Sequence, residues 1–137
     1  MVTSLTMGII EADINAALRS IKAYKENNRK YEKNISAYHI QQAVEKLIKI
    51  QVYAKVCGSY VNQGLYTHNI DKLISFCRMY NIQCIIPRYV VDNSARISEW
   101  EVRGRYDFHF SVNIKTLESA LEVTIDWYRK LKKMGFR

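Results

Sequence analysis

Apolar residues recur at helical spacing along most of the chain, and few residues interrupt that pattern. The 137 residues include one proline and five glycines. A sandwich or barrel of short strands needs many turns, and turns are rich in these two residue types. The length suits a single domain with one continuous core. The sequence therefore predicts one all-α domain spanning residues 1–137.

The clearest stripes lie on the first and last helices, where apolar residues repeat in steps of three and four. The first stripe consists of Ile10, Ile14, Ala17, Ile21 and Tyr24. The last stripe consists of Leu117, Leu121, Thr124, Tyr128 and Leu131. Asn113 is placed to cap the last helix. This spacing favours packing at shallow angles in a bundle.

A second helix is expected to begin with Asn34 as its N-cap and to end near Cys57, before Gly58. Its core residues are expected to be Ile40, Val44, Leu47, Ile48 and Ala54. Glu45 and Lys49 lie one turn apart and predict an ion pair on its exposed side.

A shorter third helix is expected after a loop at residues 59–67. Its stripe consists of Ile70, Leu73, Ile74, Cys77 and Tyr80. Pro87 suits the first turn of a fourth helix that runs to about Val102. The stripe of this helix is expected at Val91, Ala95 and Val102. These segments together predict an up-and-down four-helix bundle with one additional short helix.

The net charge of +8 favours an anionic partner, and nucleic acid is the natural candidate. Cys57, Cys77 and Cys84 form no CxxC motif, and the histidines lack metal-ligand spacing. We therefore expect buried, unreactive thiols and no metal or other cofactor. No apolar run approaches the ~18 residues of a membrane span, and the N-terminus lacks a basic leader. The expected location is the cytoplasm, without membrane contact.

Three motifs, in this order, resemble the HEPN family of prokaryotic helical domains. They comprise the QxxEKxxK-like residues Gln42, Glu45, Lys46 and Lys49, then His68 with Leu73 and Ile74, and finally Arg105 with Tyr106. The resemblance extends from about Gly8 to Met134. It implies a helical bundle that assembles as a symmetric homodimer. Many members resemble toxin ribonucleases, others accompany a minimal nucleotidyltransferase, and some are non-catalytic.

The family's ribonuclease signature is an arginine and a histidine separated by a short spacer. In EVRGRYDFHF, the expected turn before the last helix, five residues separate Arg103 from His109. A histidine can transfer protons at neutral pH, and an arginine can hold a phosphate and stabilise developing charge. Arg105 would assist this pair. The sequence thus offers a metal-independent ribonuclease as one interpretation.

Other features of the same turn favour a structural role. Gly104 follows Arg103 where active members have a polar residue, and Arg105, Tyr106 and Asp107 match the family's Arg-Tyr-Pro-like element. Asp107 could also pair with either arginine. The preferred prediction is a non-catalytic or regulatory nucleotide- or nucleic-acid-associated module, working as a homodimer or with a nucleotidyltransferase partner. The predicted nucleic-acid contacts are Arg103, Arg105, Lys46 and Lys49.

The polar residues of the second helix have two open interpretations. They predict either a polar seam between helices or across a dimer, or an ordinary solvated face. His39 is expected to flank the core, and His68 to cap or pack at the start of the third helix.

Overall fold

The computed structural model describes residues 5–55, 65–106 and 109–137, and six helices lie within these ranges. In chain order they are α1 Met7–Asn27, α2 Lys30–Lys55, α3 Ile70–Met79, α4 Arg88–Asp92, α5 Ser94–Tyr106 and α6 Ile114–Lys133. The described ranges contain no strand, which confirms the all-α prediction. None of their helices combines the length and apolarity needed to cross a bilayer. The predicted end of the second helix, at Cys57 and Gly58, lies outside them.

The four long helices α1, α2, α5 and α6 run alternately up and down, as predicted. Asn28 adopts a left-handed conformation with φ 59°, which reverses the chain between α1 and α2. Lys25 near the end of α1 binds Glu118 near the start of α6 at 3.1 Å. At the other end, the Tyr128 hydroxyl lies 2.9 Å from the Glu11 carboxylate. These contacts make α1 and α6 antiparallel neighbours.

The core confirms most of the predicted stripes. All five predicted residues of α6 are buried, as are the predicted residues of α1 except Tyr24, which is half-buried. Asn113 caps α6 by accepting a hydrogen bond from the Lys115 amide at 2.8 Å. Ala54 and Tyr80 are exposed, contrary to prediction, because they lie at the ends of α2 and α3.

The prediction that Asn34 caps α2 is wrong, because α2 begins four residues earlier at Lys30. Asn27 Oδ1 accepts a hydrogen bond from the Arg29 amide at 2.9 Å, which stabilises a short turn between α1 and α2. Asn34 is instead buried within α2 and donates its Nδ2 to the Phe110 carbonyl at 3.2 Å. It therefore ties the start of α2 to the segment before α6.

The prediction of one helix from Pro87 to Val102 is also wrong, because the chain leaves helical geometry at Asn93. The side chain of Asn93 donates to the Tyr89 carbonyl at 2.8 Å, a local bond that competes with helix continuation. The break changes the helical phase, so Ala95 and Val102 of the expected stripe are exposed and Val91 is half-buried. The residues that α4 and α5 contribute to the hydrophobic core are instead Val90, Ile97 and Trp100. The bundle thus carries two short helices, α3 and α4, where one was expected.

Candidate functional site

The arginines of the candidate site lie on a helix and not in a loop. The prediction that EVRGRYDFHF forms an inter-helix turn is wrong for its first half, because α5 continues to Tyr106. Ion pairs one helical turn apart support this last turn: Arg103 with Glu99, and Arg105 with Glu101. Both arginines also lie at the C-terminus of α5, where the helix dipole favours positive charge.

Arg105 is held firmly against α2. Its Nη2 donates to the Glu101 carboxylate, and its Nε donates to the Glu101 carbonyl at 3.1 Å. Glu101 is buried, with 6% of its surface exposed. The guanidinium also lies 5.1 Å from the ring centroid of Tyr38, within range of a cation–π contact. These three contacts orient Arg105, and the contact with Tyr38 joins α5 to α2.

Arg103 is more open and reaches towards the chain that precedes α6. Its Nη1 lies 3.4 Å from the Glu99 carboxylate, and about half of its side chain is exposed. Its guanidinium lies 4.8 Å from the ring centroid of Phe110, the residue directly after the exposed His109. The structure thus brings Arg103 to the neighbour of His109. Asp107, the predicted partner of the arginines, lies outside the described residues.

Gly104 allows α5 to approach α2 closely. A Cβ atom at this position would lie 3.0 Å from the backbone carbonyl oxygen of Asn34, which is tighter than most Cβ contacts in folded proteins. The close packing of the two helices therefore favours a glycine at this position. This gives a structural reason for the missing polar residue after Arg103.

Lys46 and Lys49, the other predicted nucleic-acid contacts, both form ion pairs within the bundle. Lys46 Nζ lies 2.5 Å from Asp13 Oδ2, and Lys49 Nζ lies 3.0 Å from Glu45 Oε2. Both lysine side chains are largely buried. Glu45 is also buried, so its predicted ion pair with Lys49 forms, but not on an exposed face. The positive charges of both lysines are therefore compensated inside the fold.

Each of these two carboxylates also binds a histidine. Asp13 Oδ1 lies 2.9 Å from Nδ1 of His39, and Glu45 Oε1 lies 2.8 Å from Nδ1 of His68. Gln41, fully buried, donates to the Glu45 carboxylate at 3.2 Å and to the His68 carbonyl at 2.8 Å. The polar residues of α2 therefore form a seam between helices within one chain. His39 flanks the core as expected, while Asn69, and not His68, caps α3.

Asp13 was not singled out by the sequence patterns, although it is central to this seam. Burial alone raises the pKa of its carboxyl group, but hydrogen bonds from His39 and Lys46, with their charges, outweigh that effect. The net result is a pKa below the ordinary value. One signal was present in the sequence: Asp13 lies between Ile10 and Ala17 on the apolar face of α1.

The end of the bundle that holds Arg103 also holds the turn between α1 and α2. Residues 22–33 around this turn contain five lysines and arginines but two glutamates. Lys33 Nζ lies 3.1 Å from Ser111 Oγ and 4.9 Å from the Tyr24 ring centroid, which joins the turn to the segment before α6. We call this surface the basic end, consisting of Lys22, Arg29, Lys30, Lys33 and Arg103.

A groove of about 230 Å³ opens beside this surface, between α5 and the start of α6. Its walls include the guanidinium-bearing side chain of Arg96, the carboxylate of Glu99, and the hydroxyl-bearing side chains of Ser111 and Thr116. The aromatic side chains of Trp100 and Phe110 also line the groove. The groove thus combines charged, hydroxyl and aromatic groups next to Arg103.

Comparison with known proteins identifies a family. The family described as HEPN domain matches residues 10–133, nearly the whole chain. No curated protein and no solved structure matched the chain significantly. The matched range covers all four long helices of the bundle apart from the first residues of α1. The chain belongs to the HEPN domain family.

Proposed function

We propose that this protein is a non-catalytic or regulatory module that associates with a nucleotide or a nucleic acid through its basic end. It works as a homodimer or together with a minimal nucleotidyltransferase partner. Membership of the HEPN family supports a nucleotide- or RNA-associated role in general. The finer assignment rests on the charge and position of the residues at the basic end.

The observation that carries this proposal is the gathering of cations from two distant segments at one end of the bundle. Arg29 and Lys30 are exposed at the turn between α1 and α2, and Arg103 is half-exposed on α5. Phosphate groups bind such clusters chiefly through electrostatic attraction and displacement of counterions. Lys46 and Lys49 contribute less, because Asp13 and Glu45 already neutralise them. These differences in exposure and charge compensation support the basic end as the proposed main contact.

A pair of matched variants tests the position of the contact. Arg29→Gln/Lys30→Gln removes two charges at the basic end, and Lys130→Gln/Lys133→Gln removes two at the opposite end of the bundle. Affinity for single-stranded RNA, measured by fluorescence anisotropy, is expected to fall by about tenfold in the first variant, because two phosphate contacts are lost. The second variant is expected to bind nearly as the wild type does. Equal losses in both would contradict a localised contact.

The second candidate function is a metal-independent ribonuclease that uses Arg103 and His109, with Arg105 assisting. The contact between Arg103 and Phe110 supports it, since this contact brings the guanidinium to the neighbour of His109. In such a reaction His109 would transfer a proton, and Arg103 would stabilise the charge on the phosphate. Arg105 would have a positioning role, because Glu101 and Tyr38 hold its side chain.

RNA cleavage without added metal separates the two functions. If the ribonuclease interpretation is correct, the wild type cleaves RNA and His109→Ala reduces the rate by a factor of about 100 or more. The non-catalytic proposal predicts no cleavage by either protein, while RNA binding persists. Sedimentation of the wild type tests the homodimer separately, and a species with the mass of one chain at all concentrations would exclude it.

A further inference from the structure

Two cysteines that are separate in the sequence meet in the fold. Cys77 lies in the last turns of α3, and Cys84 lies in the segment between α3 and α4. Their Sγ atoms are 3.8 Å apart, within the distance of a sulfur hydrogen bond. The sequence reveals no such pair, because seven positions separate the residues and no CxxC motif is present.

The backbone after α3 creates this contact. Asn81 adopts a left-handed conformation with φ 53°, and the Ile82 amide donates to the Cys77 carbonyl at 2.8 Å. This closes the end of α3 and turns the chain back along the helix. Gln51 of α2 then fixes the returning segment through two hydrogen bonds to the Ile85 backbone, at 2.7 and 2.9 Å. The proximity of the sulfurs is therefore built into the fold.

The two thiols differ in exposure and in acidity. Cys77 is buried as expected, with 4% of its surface exposed, whereas Cys84 is half-buried, contrary to the expectation of buried thiols. A hydrogen bond from the Cys84 thiol lowers the pKa of Cys77, although burial opposes this effect. The same hydrogen bond is the main cause of a raised pKa at Cys84, and burial raises this pKa further. The positive charge of Lys55 acts in the opposite direction. Of the two thiols, Cys77 therefore loses its proton more readily than Cys84.

We propose that Cys77 and Cys84 form an oxidative modification site that takes a small peroxide, such as hydrogen peroxide, and closes an intramolecular disulfide. The Cys77 thiolate attacks one peroxide oxygen, the O–O bond breaks, and hydroxide leaves, so that Cys77 becomes a sulfenic acid. The Cys84 sulfur then attacks the Cys77 sulfur and displaces hydroxide, which takes up the thiol proton as water. In total, two thiols are oxidised and one peroxide is reduced to two waters.

A small oxidant suits this site better than a bulky disulfide. Only a small fraction of Cys77 is accessible, so a molecule the size of peroxide can reach its sulfur more readily than glutathione disulfide can. Cys84 needs no access to the reagent, because it reacts with the adjacent sulfur. A disulfide bond is about 2.0 Å long, so closure requires the sulfurs to approach each other from 3.8 Å.

The test uses the full chain with Cys57→Ser, which leaves the two cysteines of the site as its only thiols. After treatment with hydrogen peroxide, the count of free thiols is expected to fall from two to none. Mass spectrometry of proteolytic peptides is expected to show residues 77 and 84 joined within one chain, and dithiothreitol is expected to restore both thiols. Unchanged thiols, oxidation beyond sulfenic acid without a disulfide, or a disulfide between chains would overturn the proposal.

Two further variants assign the order of the steps in the same Cys57→Ser background. Cys84→Ser should retain a sulfenic acid on Cys77, which dimedone traps, while Cys77→Ser should give little dimedone adduct on Cys84. Equal labelling of both variants would contradict the assigned roles. The peptide map requires neither variant, so it decides on the disulfide even if a serine at position 77 or 84 disturbs folding.

Discussion

Asp13 is a single residue whose contacts join α1 to two positions of α2. It accepts from His39 with one oxygen and binds Lys46 with the other, and 8% of its surface is exposed. Such a carboxylate is costly to bury unless its partners are in place. Its pattern of contacts explains why an acidic residue can occupy the apolar face of a helix.

Asp13→Asn should therefore destabilise the fold. The amide keeps the shape of the side chain but leaves Lys46 and His39 without a charged partner, and we expect a loss of about 1–3 kcal/mol of unfolding free energy. Glu118→Gln is the matched control, because its ion pair with Lys25 is largely exposed, and it should cost less than about 1 kcal/mol. Urea denaturation measures both, and similar losses would contradict the account.

The lowered pKa of Asp13 also predicts a dependence on pH. Because the folded pKa lies below the ordinary value of 3.8, the ionised carboxylate stabilises the fold at higher pH. This contribution is lost as the pH falls through the folded pKa. The difference in unfolding free energy between wild type and Asp13→Asn should therefore shrink in acid, below about pH 3.8. A difference that stays constant through that range would refute the stabilising role of the ionised Asp13 carboxylate.

At the scale of elements, close packing of α5 on α2 determines the geometry of the arginine-bearing turn. Gly104 brings α5 against the Asn34 carbonyl, and Arg105, held by Glu101 of its own helix, joins α5 to α2 through Tyr38. The orientation of the last turn of α5 therefore depends on a glycine that provides no functional group of its own.

Gly104→Leu should displace this turn. The added side chain meets backbone that cannot move freely, so we expect a loss of about 1–3 kcal/mol of unfolding free energy. Gly8→Ala serves as a control, because a Cβ there lies 3.6 Å from its nearest neighbour, an ordinary contact. That change should be neutral or stabilise by up to about 1 kcal/mol. Thermal unfolding compares them, and an unchanged midpoint for Gly104→Leu would count against the close approach.

Helices with strong apolar stripes could be predicted from the sequence. Two helix boundaries that involve side-chain hydrogen bonds could not. The stripe of α6 and its Asn113 cap are confirmed because side-chain burial and capping reflect short-range spacing. The break at Asn93 and the early start of α2 involve hydrogen bonds that asparagine side chains donate or accept, and spacing does not reveal such bonds. The ion pair of Lys46 with Asp13 likewise depends on a tertiary contact, whereas the pair of Lys49 with Glu45 was predicted because the two residues lie one turn apart on α2.

In the molecule as a whole, the bundle topology brings charged residues that lie far apart in the sequence to the same end. The turn between α1 and α2 and the end of α5 lie far apart in the chain, yet Lys33 contacts Ser111 and Asn34 contacts Phe110 at the same end. The sequence patterns singled out the lysines of α2 and the arginines of α5 individually. The fold compensates those lysines with Asp13 and Glu45, whereas Arg29 and Lys30 of the basic end are exposed.

The salt dependence of RNA binding is the sharpest test of nucleic-acid association through the basic end. Each phosphate contact with a single strand contributes about 0.7 to the slope of log K against log salt concentration. We predict that Arg29→Gln/Lys30→Gln makes this slope shallower by about 1.4, while Lys130→Gln/Lys133→Gln leaves it unchanged. A wild-type affinity that does not respond to salt, or a slope that changes only in the second variant, would contradict nucleic-acid association through the basic end.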